Sequence, residues 1–140
     1  MAAANLDLVR SIVSTWERGD FTAAEWADPE IEYVIADGPT VGSWTGIGQM
    51  AEANRHFLNL WEDFRVKAED YREVDDGRVL VFIQRSGRGK TSGLDLEQLE
   101  TRGAFVFQLR GGKVTRLAIY YDRERALGDL GLPAEASSSQ

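Results

Sequence analysis

The chain contains no cysteine and only one histidine, His56, in 140 residues. The first absence excludes disulfides and thiolate chemistry, and the second excludes a histidine-rich metal site. No apolar run approaches the ~18 residues that a membrane-spanning helix requires. The opening MAAANLDLVRSIV lacks the basic start and long apolar centre of a secretory leader. Positive charge is the scarcer sign, with 16 Lys and Arg against 23 Asp and Glu and a formal net charge of -7. Affinity for nucleic acid comes mainly from clustered cations, so a nucleic-acid partner is not expected. These exclusions leave a soluble, cytoplasmic protein, with no membrane contact, metal or cofactor, as the expectation.

What is present is enough apolar matter for one folded domain: 43% of residues are hydrophobic and 10% aromatic. Val9, Ile12, Val13 and Trp16 recur at helical spacing, which predicts a helix over 6–18, capped by Asn5 and ended at Gly19. Thr22 to Glu25 spells a capping box, predicting a short helix that Pro29 closes. Ile31, Tyr33 and Ile35 alternate as in a strand. The stretch ADGPTVGSWTG reads as a loop, and a third helix follows over 47–61 with Met50, Asn54, Phe57 and Trp61 on one face.

From there the period changes to two. Strands are expected over 64–74, 78–86, 94–109 and 113–122, with turns at Asp76-Gly77 and Arg110-Gly111-Gly112. RERALGDLGL closes the fold as a short helix. The single domain is placed at 1–132, with 133–140 (PAEASSSQ) as a disordered tail. Helices first and a meander of strands afterwards make an α+β domain. Val79, Val81 and Ile83 point to one face of the sheet, and Leu80 and Phe82 are apolar on the other. Both faces therefore need cover, and a homodimer formed through the sheet is expected.

RSGRGKTSG, residues 85–93, resembles the end of a phosphate-binding loop. That loop needs the spacing GxxxxGK followed by Ser or Thr, with a helix after it. The first glycine falls on Gln84, and Ser92 and Gly93 replace the helix. A glycine-rich bend between strands is expected instead.

The segments LVRSIVSTWERGDF, EWADPEIEYVIADGP, GSWTGIGQM, WEDFRV, RSGRGKTSGL, GGKVTRL and YYDRERAL resemble, taken together, SnoaL-like domains of the NTF2-like superfamily, which also holds ketosteroid isomerases. The resemblance implies a cone-shaped barrel, a curved mixed or antiparallel sheet around N-terminal helices with an apolar cavity, and dimers paired through the sheets. It does not imply one chemistry, because the fold hosts isomerases, cyclases, hydrolases and binding modules. The isomerases use a helix tyrosine, a first-strand Asp and a protonated late-strand carboxyl. Those positions fall on Ile12, on Tyr33 or Val34, and on Phe105, so steroid isomerase activity is not expected.

The cavity implied by this fold would be lined by Trp16, Trp26, Tyr33, Trp44, Asn54, Phe57 and Trp61, with Phe105 and Arg85 from the sheet. Buried indole N–H groups need partners, and a flat apolar ligand stacks well on such rings. Asn54 is a polar amide on an otherwise apolar helix face. Arg85 continues the register of Val79, Val81 and Ile83, and on the cavity side it would orient a carbonyl or carboxylate. Tyr33, Tyr121 and Asp122 are the candidate catalytic groups, with Asp122 read first as the cap of the last helix. Glu97, Glu100 and Arg102 share a strand of unfixed register, and His56 falls on the outer helix side. Two functions stand at this point. One is a cavity protein for a hydrophobic cyclic or aromatic metabolite, in its sharper form an acid-base isomerase, cyclase or hydrolase. The other is a non-catalytic homodimeric binding module.

Overall fold

The computed structural model describes residues 2–21, 25–37, 41–59, 61–89 and 99–132. The first helix, α1 (Ala2–Glu17), buries Val9, Ile12, Val13 and Trp16, the residues that its periodicity selects. It begins earlier than Asn5, so Asn5 is no cap; its side-chain amide donates instead to the Asp76 carbonyl at 2.8 Å. Gly19, at φ 88°, takes the chain out of α1 through a conformation that side-chain-bearing residues avoid.

The helix expected up to Pro29 does not form as such. Residues 22–24 lie outside the described residues, and β1 (Ala27–Ile35) already includes Pro29. A proline removes a ladder donor. Pro29 is tolerated because it sits where the β1 pairing shifts, between Ala27 and Glu32, before the paired stretch that starts at Glu32. Part of the expected loop is a short strand, β2 (Gly42–Thr45), antiparallel to β1. The second helix, α2 (Ile47–Leu58), stops three residues short of Trp61, which opens β3 (Trp61–Asp75).

The remaining strands are β4 (Arg78–Gly89), β5 (Leu99–Arg110) and β6 (Lys113–Tyr120). Gly111 and Gly112, at φ 61° and 79°, make the two-residue turn between β5 and β6. The sheet order is β2-β1-β6-β5-β4-β3, with β1 and β6 parallel and every other pair antiparallel. The sheet is mixed and does not close. Three register shifts in β3 bend its long hairpin with β4. At the first part of that hairpin the Glu17 carboxylate, from the end of α1, accepts the Ala68 N–H at 2.8 Å. The suspected phosphate loop begins as ordered strand, with Arg85 to Gly89 in β4; Lys90 to Gly93 lie outside the described residues.

Two apolar clusters form, one on each sheet face. The inner cluster joins α1 and α2 to Val79, Val81, Ile83, Phe105, Phe107, Leu117 and Ile119. The outer one joins Leu80, Phe82, Ala104, Val106, Ala118 and Tyr120 to Ala126 and Leu127 of α3 (Arg123–Leu130). The chain's own last helix therefore covers the second face, and two-faced strands need no second subunit to bury them. Asp122 caps α3 by accepting the Glu124 N–H at 2.9 Å, and Gly131 closes it in the left-handed conformation.

Gly103 in β5 is fixed by this packing, since a Cβ there would stand 2.2 Å from the Tyr120 carbonyl oxygen. Its own carbonyl accepts from Arg123 Nε at 3.1 Å. The expected tail at 133–140 lies outside the described residues.

Candidate functional site

Between α1, α2 and the inner sheet face lies a hollow, with about 80 Å³ open to the centre of a water molecule. One water needs only ~10–15 Å³ on that measure, so a larger guest has room. From α1 and the segment after it come Trp16, Phe21 and Trp26; from β1, Tyr33 and Ile35. Helix α2 presents Met50, Ala51, Asn54 and Phe57 at successive turns of one face. The sheet adds Phe64, Val66, Arg85, Phe105, Leu117 and Ile119, and Tyr121 follows the end of β6.

The rings hold one another. Trp16 meets Phe105 edge-on at 5.4 Å between centroids, Trp26 edge-on at 5.8 Å, and stacks on Phe107 at 5.9 Å. Phe64 bridges the wall between Phe57 at 5.3 Å and Phe21 at 5.8 Å. Edge-to-face pairs of this kind each add about 0.5–1.5 kcal/mol beyond area burial and keep the wall pre-formed.

The polar pole of the hollow is Arg85, 4% exposed. Its guanidinium carbon lies 4.3 Å from the centre of the Tyr121 ring and 5.9 Å from that of Phe57. Among the described residues no group accepts a hydrogen bond from its Nε or Nη2. Desolvation pulls its pKa below the usual 12.5, while Tyr121, Tyr33 and Asp37 pull the other way. Arginine still stays cationic at neutral pH. Burial raises the Tyr33 phenol to about 12, with Arg85 opposing the rise, so Tyr33 remains a protonated donor. Asp37, just past β1, accepts the N–H groups of Tyr121 at 2.6 Å and Asp122 at 3.2 Å. That carboxylate is committed to the backbone.

Of the residues expected in the cavity, Trp16, Trp26, Tyr33, Asn54, Phe57, Arg85 and Phe105 come together on its wall, joined by the catalytic candidate Tyr121. Trp44 stands behind it, on β2, with its ring 5.9 Å from that of Tyr33. The Trp61 side chain lies outside the described residues, and α2 has ended before it. Asp122 is the α3 cap and not a lining group. His56 is exposed on α2, and Arg102 is an exposed partner of Glu69 at 3.4 Å; Glu97 and the Glu100 side chain lie outside the described residues. Phe21, Ile35, Phe64, Leu117 and Ile119 were not singled out by sequence. For Leu117 and Ile119 the signal was there, because they share the inward register of Phe105 and Phe107.

Residues 9–117 match the SnoaL-like domain family over more than half of the chain. The chain belongs to the SnoaL-like domain family. No curated protein sequence is a match. Several solved structures share the fold. TerC, co-crystallised with polyporic acid, is 20% identical at a TM-score of 0.70, over 91% of this chain and 97% of that one. An NTF2-like protein from Burkholderia pseudomallei K96243 is 16% identical at 0.72, over 89% and 95%. A protein of ketosteroid isomerase-like fold from Catenulispora acidiphila, in complex with trimethylamine, is 19% identical at 0.65, over 89% and 95%. At these identities the likeness establishes the fold alone: a cone-shaped, NTF2-like α+β domain.

Proposed function

We propose that this SnoaL-like domain binds a flat cyclic or aromatic small molecule in the hollow. The carrying observation is the wall itself: interlocked rings around an apolar space, broken by a few inward polar groups, Asn54, Tyr33, Tyr121 and Arg85. Such a surface matches a planar apolar body and orients it by one polar end. The TerC and Catenulispora proteins, crystallised with small ligands, support small-molecule binding on this fold.

Binding is favoured over acid-base turnover by the kinds of group present. Acid-base chemistry needs a resident base near the reacting proton. Among the described residues the ionisable lining groups are Tyr33, Tyr121 and Arg85, with no carboxylate or imidazole. This set donates hydrogen bonds and positive charge to an oxygen.

The test is a titration of the whole chain with 4-nitroanisole, a flat neutral probe, followed by tryptophan quenching. Wild type is expected to saturate at one site. Ala51→Phe places a ring in the mouth of the hollow at an exposed helix position and is expected to weaken binding about tenfold or more, the scale of one ring's burial. Unsaturable quenching, equal in both proteins, would refute the reading.

A further inference from the structure

Two charged side chains are buried among the described residues, Arg85 and Arg123, and the fold treats them oppositely. Arg123, under the outer face, donates Nε to the Gly103 carbonyl at 3.1 Å and Nη2 to the Ile83 carbonyl at 3.1 Å, and it pairs with Glu69. Arg85, on the inner face, keeps Nε and Nη2 without an acceptor. Among the described residues Tyr121 is a side-chain hydrogen-bond partner of Arg85, and none accepts from Nε or Nη2. Tyr33 from β1 and Tyr121 beyond β6 are phenols, Phe57 from α2 is a ring, and Val66 lies opposite on β3. Asp37, the carboxylate whose charge acts on Arg85, holds two backbone N–H groups instead.

A buried cation with unused donors is costly, and a group that brings both an acceptor oxygen and negative charge offsets that cost most fully. The guanidinium fork fits a carboxylate or phenolate oxygen, and the rings beside it fit a flat apolar body. We infer that the guest is a monoanionic aromatic molecule, its acidic oxygen against Nε and Nη2 of Arg85 and its ring among Trp16, Trp26 and Phe105. This inference rests on the binding function proposed above and adds the charge of the ligand and the residue that selects it.

The experiment pairs 4-nitrophenol, whose neutral and ionised forms differ in colour, with its methyl ether 4-nitroanisole. The wild-type chain should bind the phenolate at least about tenfold more tightly than the ether. Bound 4-nitrophenol should then titrate at least about one pH unit below its value in water, because one unit and tenfold are the same free energy. Arg85→Met should bind the phenolate no more tightly than the ether, losing both the preference and the titration shift. Arg85→Lys, which keeps a cation but not the fork, should retain part of both and covers the case in which the methionine variant fails to fold. Equal binding of phenolate and ether by wild type, or a preference that survives Arg85→Met, overturns the inference and leaves the small-molecule reading standing. Binding of neither probe removes that reading itself. Displacement of the phenolate by equimolar chloride or phosphate makes this a site for small inorganic anions and overturns the aromatic assignment.

Discussion

Replacing Arg85 by methionine should make the unliganded protein more stable, a result opposite to that of most core substitutions. Methionine is unbranched and flexible enough to follow the arginine stem along the inner face between Ile83 and the mouth of the hollow. Among the described residues the arginine finds no acceptor for Nε and Nη2 while 4% exposed. Each unsatisfied buried donor costs about 1–3 kcal/mol, toward the low end where an open hollow admits solvent. Against this, the contact of the guanidinium with Tyr121, stacking at 4.3 Å together with a side-chain hydrogen bond, contributes roughly 1–2 kcal/mol that the variant gives up. The balance is a gain of about 1 kcal/mol. For a chain of this size that is a rise in Tm of roughly 3–5 °C. Calorimetry or a circular-dichroism melt of both proteins without ligand reads it directly. A fall in Tm of similar size would mean that Arg85 is satisfied inside the fold, and its role as the ligand's counter-charge would be refuted.

Other perturbations separate the structural parts from the binding parts. Gly103→Ala should destabilise by about 3 kcal/mol, measured by urea denaturation, because the new methyl meets the Tyr120 backbone and not a side chain that can move. Glu69→Gln should flatten the acid limb of the stability curve. Its carboxyl is held below the usual 4.5 first by the hydrogen bond from Arg123, so that contribution is present above the unfolded value and lost as pH falls through the folded one. Tyr33→Phe acts at the other end of the scale. With the folded phenol at about 12 against 10 unfolded, wild type loses roughly 2–3 kcal/mol between those values, and the variant should not show that part of the loss in alkaline melts. Asn54→Leu should leave Tm within about 2 °C and change the affinity for 4-nitrophenol severalfold, since the amide faces the hollow from a half-buried helix position.

Much of this architecture is readable from local patterns where one element buries one stripe. The α1 stripe of Val9, Ile12, Val13 and Trp16 and the paired strand registers around Val81 and Phe105 both survive into the structure, because burial on one face enforces the period. The double apolar face of the strands was legible too, but its explanation was not. Only the three-dimensional placement of α3 shows that Ala126 and Leu127 share one buried cluster with Phe82 and Val106.

Local signals failed where tertiary pairing overrode them. The Thr22–Glu25 capping pattern is followed by strand, since Val114 donates to the Trp26 carbonyl at 2.9 Å and draws the segment into the sheet. Trp61 continued the α2 stripe on paper, yet the chain turns into β3 after Leu58 and pairs with Gly89. For the site, the ring content and Arg85 were legible. The decisive property of Arg85, donors without acceptors, is a fact of spatial neighbours that no spacing in the sequence encodes.

The most direct single measurement is a crystal structure of the chain grown with 4-nitrophenolate. The account predicts ring density in the hollow, beside Trp16 and Phe105, with the phenolate oxygen within hydrogen-bonding distance of Nε and Nη2 of Arg85. A guest bound elsewhere, or an Arg85 turned onto a backbone carbonyl in a hollow closed by its own side chains, would contradict it.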